Sequence, residues 1–287
     1  MNKLRPRREA AARRAKELCE RAATKLGLNR HLYRRRIDVC CCGLSKTGTH
    51  SMAGMFQNYR SKHHPDADVR LALCIDQLSG RAVSTRVRDV LRQRDRKLWL
   101  EMESSTLSGI LIESLVQACP EKKFILTIRD VYTWCDSWIN HNINSPPKDS
   151  SGFGRLDRVR LRVDDFPPNR HDSPLQALGF PSLAGYFQLW AAHNTAVLEA
   201  VPEDRLFIVK TDEIIGRMPA IASWLGVPPG TLRLDRAWLA AARRKHGVLS
   251  RLDPGYVRDV AAQYCEPLMT QYFPELAGPA VPAAAAN

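Results

Sequence analysis

The stretch Ile37-Asp38-Val39-Cys40-Cys41-Cys42-Gly43-Leu44-Ser45-Lys46-Thr47-Gly48-Thr49-His50-Ser51 decides how this chain is read. Its first part, residues 37–42, is apolar except for Asp38, the pattern of a short strand buried on both faces. The run breaks at Gly43, turns through Gly48, and is followed by a helical pattern from residue 49 to about 59. A strand, a glycine-bracketed turn and a helix N-terminus together form an anion site. Unpaired N–H groups and the helix dipole both favour negative charge there. Gly43 and Gly48 have the separation of the nucleotide-triphosphate loop G-x-x-x-x-G-K-[ST], but the order differs. Thr49 follows Gly48, and the lysine is Lys46, two residues earlier. No acidic residue at a neighbouring strand tip obviously serves magnesium. The loop can cradle a phosphate, with its cation displaced.

Outward from this loop, strands alternate with helices. Further strands are expected at residues 71–75, 98–102, 124–128 and 206–209. Helices are expected at 8–26, 83–93, 107–118, 131–143, 182–199, 218–225, 235–244 and 254–272. This alternation predicts an α/β, three-layer, P-loop-like architecture: a central, mostly parallel sheet of about five strands flanked by helices. Ligands of such sheets sit at the C-terminal ends of the strands, here residues 43–51, 102–105 and 129–137. Residues 144–181 carry Pro146, Pro147, Pro167, Pro168, Pro174 and Pro181 with Gly152, Gly154 and Gly179, and read as a lid or substrate loop. The organisation expected is a basic extension at 1–36, a domain at 37–275 and an alanine- and proline-rich tail at 276–287.

Hydrophobic residues make up 44% and charged residues 25% of the 287, which excludes disorder as the main state. No run reaches the ~18 apolar residues of a membrane span. Residues 1–36 alternate basic and apolar side chains with no secretory apolar core, so a cytoplasmic location is expected. The adjacent cysteines Cys40, Cys41 and Cys42 lie inside the strand and point to alternate faces, so reduced, buried thiols are expected. Neither a C-x-x-C pair nor a Cys/His spacing points to a metal. The net charge is +13, of which +10 falls in residues 1–36. That segment is expected to be a solvated helix packed by Leu18, Ala22, Leu26 and Leu28, with peripheral contact to an anionic surface as its other use. No specific nucleic-acid partner is expected.

The loop Ser45-Lys46-Thr47-Gly48-Thr49-His50-Ser51 resembles the 5′-phosphosulfate loop of sulfotransferases that use 3′-phosphoadenosine 5′-phosphosulfate (PAPS). Arg129 ends a later strand, and Ser137 follows after seven intervening residues. This is similar to the family's 3′-phosphate pair, with a guanidinium fork and a hydroxyl as donors. Residues 190–198, 202–213 and 221–228 resemble the family's late helix, strand and Leu-Gly-Val-Pro segment. Arg243, Arg244, Lys245, His246 and Gly247 are placed like its C-terminal basic loop over the 3′-phosphate. The resemblance spans about residues 37–274. Two features depart from the cytosolic animal enzymes: Ser51 stands where they carry a tryptophan, and no dimerisation motif is evident. How adenine is held and the oligomeric state stay open.

The resemblance implies sulfuryl transfer from PAPS to an acceptor hydroxyl, with the adenosine bisphosphate (PAP) as product and no metal. Lys46 would meet the bridging oxygen. The Gly48, Thr49 and His50 amides and the Thr47, Thr49 and Ser51 hydroxyls would hold the 5′-phosphosulfate. Family members use a histidine or a glutamate as general base. Glu103 is the first candidate here and Glu101 the second, with His50, His63, His64 and His141 as substitutes. Residues 144–181 with His141, Trp138, Trp99 and Phe166 would shape the pocket of a sugar, lipid-linked alcohol or phenolic acceptor. The rival readings are a P-loop kinase, which needs the missing magnesium site, and a non-catalytic polyanion-binding module, which leaves Lys46 and Arg129 without a role.

Overall fold

The computed structural model describes residues 18–20, 22–146, 151–237 and 244–276. Its sheet is built from β1 (Val39–Cys41), β2 (Ser61–His63), β3 (Met102–Ser104), β4 (Lys123–Ile128) and β5 (Leu206–Lys210). The strand order is β2-β3-β1-β4-β5, and every pairing is parallel. β1 therefore sits at the centre, and the chain crosses from one side of it to the other between β3 and β4. The loop after β1 lies at that switch point, where α/β sheets bind ligands.

Around the sheet run α1 (Asn29–Leu32), α2 (Thr49–Met55), α3 (Ala67–Leu78), α4 (Ser84–Leu98), α5 (Thr106–Ile110), α6 (Ile112–Ala118) and α7 (Val131–Asn144). They are followed by α8 (Gly152–Arg160), α9 (Ser173–Gln176), α10 (Leu183–Ala200), α11 (Ile214–Leu225) and α12 (Pro254–Tyr272). Period-two alternation sorts the strands between two cores. Cys40, Cys42, Phe124 and Leu126 face a core with Leu71, Leu91, Leu107 and Leu115. Val39, Cys41, Ile125 and Val209 face the opposite one, with Met52, Phe56 and Ile221. A third core joins α7, α10 and α12 around Trp134, Trp138, Phe187 and Trp190. Helices thus cover both faces, as expected. The eight cysteines are free, and all but Cys19 are buried. No helix among the described residues is long and apolar enough to cross a membrane.

Several elements differ from the sequence reading. Residues 71–75 are not a strand; they lie inside α3, whose buried Arg70, Leu71 and Cys74 recur at helical spacing. The strand expected at 98–102 begins only at Met102, because α4 runs on to Leu98 and Trp99 closes it with a left-handed φ of 49°. The helix expected at 107–118 is two, α5 and α6, joined at Leu111. The edge strand β2 has no apolar residue and carried no strand signal. Residues 144–181, read as a loop, contain α8 and α9 and bury Leu156, Leu161 and Leu175. The expected N-terminal packing face is also wrong. Leu18, Leu26 and Leu28 are exposed, whereas Ala23 and Asn29 are buried. Asn29 donates to the Lys97 carbonyl at 2.7 Å, so a polar anchor and not a leucine stripe fastens this segment. Most of the expected 8–26 helix, the core of the 235–244 helix and nearly all of the tail lie outside the described residues.

Candidate active site

Residues 43–49 turn sharply between β1 and α2. Gly48 adopts φ 98°, so the torsion demands glycine, and a Cβ there would also have to displace the tip of the Ile214 side chain, 2.6 Å away. Lys46 also has a left-handed φ, 72°. A non-glycine residue held this way is strained, and such strain collects at functional sites. The loop is clamped through its carbonyls. Trp134 Nε1 donates to Ser45 O at 3.0 Å, Thr211 Oγ1 to Thr47 O at 2.9 Å, and Ser104 Oγ to Thr49 O at 2.6 Å. With these oxygens tied into the scaffold, the first-turn amides of α2 remain for an anion.

The loop opens on a cleft of about 620 Å³. Ser45, Lys46, Gly48, Thr49, His50 and Ser51 line it, as expected. Thr47 does not. Its hydroxyl is buried and bonded to Leu44 O and Thr127 Oγ1, both at 2.7 Å, so it braces the loop from behind. Arg129 and Ser137 face the same cleft from β4's end and α7. Arg129 Nε donates to Thr133 Oγ1 at 2.8 Å, and Trp190 Nε1 holds the Arg129 carbonyl at 2.9 Å. Burial lowers the Lys46 pKa and the nearby Arg129 charge lowers it further; burial also lowers that of Arg129. Two cations crowded in this way are stabilised by a bound anion.

The basic loop is docked against α7. His246 N donates to Asn140 Oδ1 at 2.6 Å, and Asn144 Nδ2 donates to Arg244 O at 3.1 Å. Lys245 lines the cleft, and Gly247 turns the chain with φ 59°. Arg243 lies outside the described residues. His141 and Trp138 reach the cleft, though Trp138 is mostly core.

The carboxylate expectations need correction. Glu103 lies mid-strand, opposite Cys40, and does not line the cleft, because β3 runs on to Ser104 and the side chain is drawn to Arg70 of α3 and Arg94 of α4. Its carboxylate is gripped by Arg70 and, at 2.7 Å, by Arg94. Burial alone would raise its pKa, but the two guanidiniums outweigh burial and hold it near 2. A carboxylate so stabilised is a poor proton acceptor. Glu101 lies at the opposite end of the sheet, bonded to Arg36 Nε at 2.7 Å and Arg60 N at 2.9 Å. Trp99 is at that far end too, with Nε1 on Tyr33 O at 2.8 Å and its ring under Arg35.

Histidines occupy the place the carboxylates were expected to fill. β2 delivers His63 at its C-terminal tip, and His64 follows with φ 48°. His50 stacks on His63 with centroids 4.8 Å apart, and His64 meets His63 edge-on at 4.1 Å. All three line the cleft. His63 Nε2 is 3.4 Å from Thr49 Oγ1, and His64 Nδ1 is 2.7 Å from Ser105 Oγ. Burial, then the neighbouring His64 and His50, push the His63 pKa down to about 3. Burial, then Arg70 and Arg160, push His64 down to about 4. The only sequence signal was the His63-His64 pair before Pro65.

Buried His193, on the Cys42 carbonyl at 2.9 Å, is likewise lowered to about 4, chiefly by burial. These groups bind protons near pH 6.5 when unfolded but only near pH 3–4 when folded. The unfolded chain therefore gains protons first, and stability falls as pH drops from about 6.5 toward 4. A urea-unfolding midpoint that stays level between pH 7 and 4.5 would contradict this.

Residues 38–228 match the sequence model of the sulfotransferase domain. That covers about two-thirds of the chain, and the chain belongs to this family of sulfuryl-transferring enzymes. A search of the curated proteins found no match.

Proposed function

We propose that the protein transfers the sulfuryl group of PAPS to an acceptor hydroxyl. The observation that carries this reading is the convergence of Lys46, Arg129 and Ser137 on one cleft, with the clamped loop between β1 and α2 at its floor. Sulfuryl transfer resembles phosphoryl transfer, where catalysis is mainly positioning and electrostatics. In this reading Lys46 meets the charge that develops on the bridging oxygen. The amides of Gly48, Thr49 and His50 and the hydroxyls of Thr49 and Ser51 orient the 5′-phosphosulfate. Arg129 and Ser137 hold the 3′-phosphate, with the docked segment around Lys245 beside them.

The acceptor proton falls to the histidine stack. His63 is the first candidate, because its contact with Thr49 places it beside the loop that holds the transferred group. Burial holds the His63 pKa at about 3, too weak a base by itself, and the negative charge of a bound donor is what would raise it toward the range in which the ring takes a proton. Location is proposed to be cytoplasmic.

Thermal unfolding with adenosine 3′,5′-bisphosphate tests the donor site. Ligand at ~100 times its Kd adds about 2.7 kcal/mol, a rise of roughly 5–10 °C for this size. The rise should need no magnesium, be absent with AMP, and be lost in Arg129→Ala. Stabilisation by magnesium-ATP alone would favour a kinase instead.

A further inference from the structure

The cleft holds an arginine that its surroundings fix in place without using up. Arg160, on the last turn of α8, lines the cleft yet is only 5% exposed. Its Nε and Nη2 both bond Asp157 Oδ1, at 2.8 and 2.6 Å. Its guanidinium lies 4.4 Å over the Trp138 ring. The planar fork is therefore fixed from one edge and one face. Nη1 has no hydrogen-bond partner among the described residues. A buried, charged N–H left unmatched is costly, unless an oxygen arrives to meet it.

The charges behind it favour an anionic oxygen. Arg70, Arg94 and Arg160 are all buried, and Glu103 and Asp157 pair with them. Asp66 approaches Arg94 only at 3.9 Å, from a position where its side chain is 40% exposed. Three buried guanidiniums thus have Glu103 and Asp157 at close range, with Asp157 itself at the cleft wall, and Asp66 only at the outer limit of an ion pair. His64 feels both Arg70 and Arg160, and its ring edge packs on Phe153, which also lines this end.

We propose that Arg160 determines acceptor specificity by binding a carboxylate, so that the substrate is a hydroxyl compound bearing an acidic group. The cleft side of the Arg160 guanidinium receives one carboxylate oxygen, while the hydroxyl to be sulfated lies toward His63 and Lys46. This rests on the sulfotransferase reading above. Sequence reading alone passed over Arg160, because residues 144–181 were read as a loop with no helix to fix its direction.

The test uses the full chain, with PAPS as donor and matched acid and methyl-ester acceptors. The pairs are para-hydroxybenzoate, glucuronate and omega-hydroxydodecanoate, each against its ester. The wild type should favour at least one acid over its ester by about ten- to a hundredfold in kcat/KM, the value of one charge-assisted hydrogen bond. Arg160→Met should erase that preference through KM while keeping its thermal stabilisation by adenosine 3′,5′-bisphosphate. Arg160→Lys, which keeps the charge but loses the fork, should recover part of the preference and covers the case in which Arg160→Met does not fold. An acid preference that survives in both variants, equal turnover of acid and ester by the wild type, or turnover of none of the acids would overturn the proposal. Failure of the wild type to bind the bisphosphate would instead remove the sulfotransferase reading, and this inference with it.

Discussion

Lys46→Ala is expected to lower the rate of sulfate transfer by about a hundred- to a thousandfold while leaving the fold intact. The loss corresponds to removing one preorganised charge aimed at a developing negative oxygen, about 3–4 kcal/mol of barrier. Lys46 sits in the cleft, and its side chain is not part of any hydrophobic core. The loop carbonyls at Ser45, Thr47 and Thr49 keep their own donors in the variant. The melting temperature should therefore change little. The loss should appear in kcat as well as in kcat/KM, because the interaction grows in the transition state. Turnover within tenfold of wild type would remove Lys46 from the catalytic role, and with it the assignment of the loop.

Glu103→Gln should act on stability. Its carboxylate compensates the buried Arg70 and Arg94 charges. Removing one partner of a buried ion pair leaves an uncompensated charge and typically costs about 3–5 kcal/mol. For a chain of this size the melting temperature should fall by roughly 10 °C. The variant should keep most of its kcat at temperatures where it is folded. The opposite pattern, a normal melting temperature with kcat down by ~10²–10⁴, would mark Glu103 as the general base after all. The same measurement on His63→Gln should show that kinetic pattern if the histidine stack takes the proton.

The part of the cleft built from the loop after β1, Arg129 and Ser137 was legible in the sequence because it is local. Gly43 to Ser51 is one contiguous turn, and Arg129 with Ser137 is one strand end and two turns of the next helix. Short-range spacing and turn chemistry fix such units, so Ser45, Lys46, Thr49, Ser51, Arg129 and Ser137 all reached the cleft. Thr47 failed for a reason the sequence could not supply. Only the packing of β1 against β4 shows that Thr127 is waiting for its hydroxyl.

The rest of the cleft is less legible because it is assembled from segments far apart in the chain. The difference lies in the bounds of β3. The helix before it runs to Leu98, so the strand starts after Glu101 and continues to Ser104, which leaves Glu103 inside the strand and not at its tip. Glu103 then faces Arg70 and Arg94 from two helices, neither of which the sequence links to it. The proline-rich composition of residues 144–181 suggested a loop, while tertiary packing of Leu156 and Leu161 stabilises helix around them.

The sequence by itself determined the class of fold, the glycine-bracketed loop after β1 and the places of Arg129 and Ser137 at the end of β4 and on α7, since each depends on interactions within a few residues. Tertiary structure decided which ionisable groups face the cleft. Strand bounds, burial and long-range ion pairs turned Glu103 into a buried counterion, gathered His50, His63 and His64 into one cluster, and set Arg160 between Asp157 and Trp138. The physical reason is that a side chain's charge and reach depend on what is packed against it, and in this fold the packing partners come from distant parts of the chain.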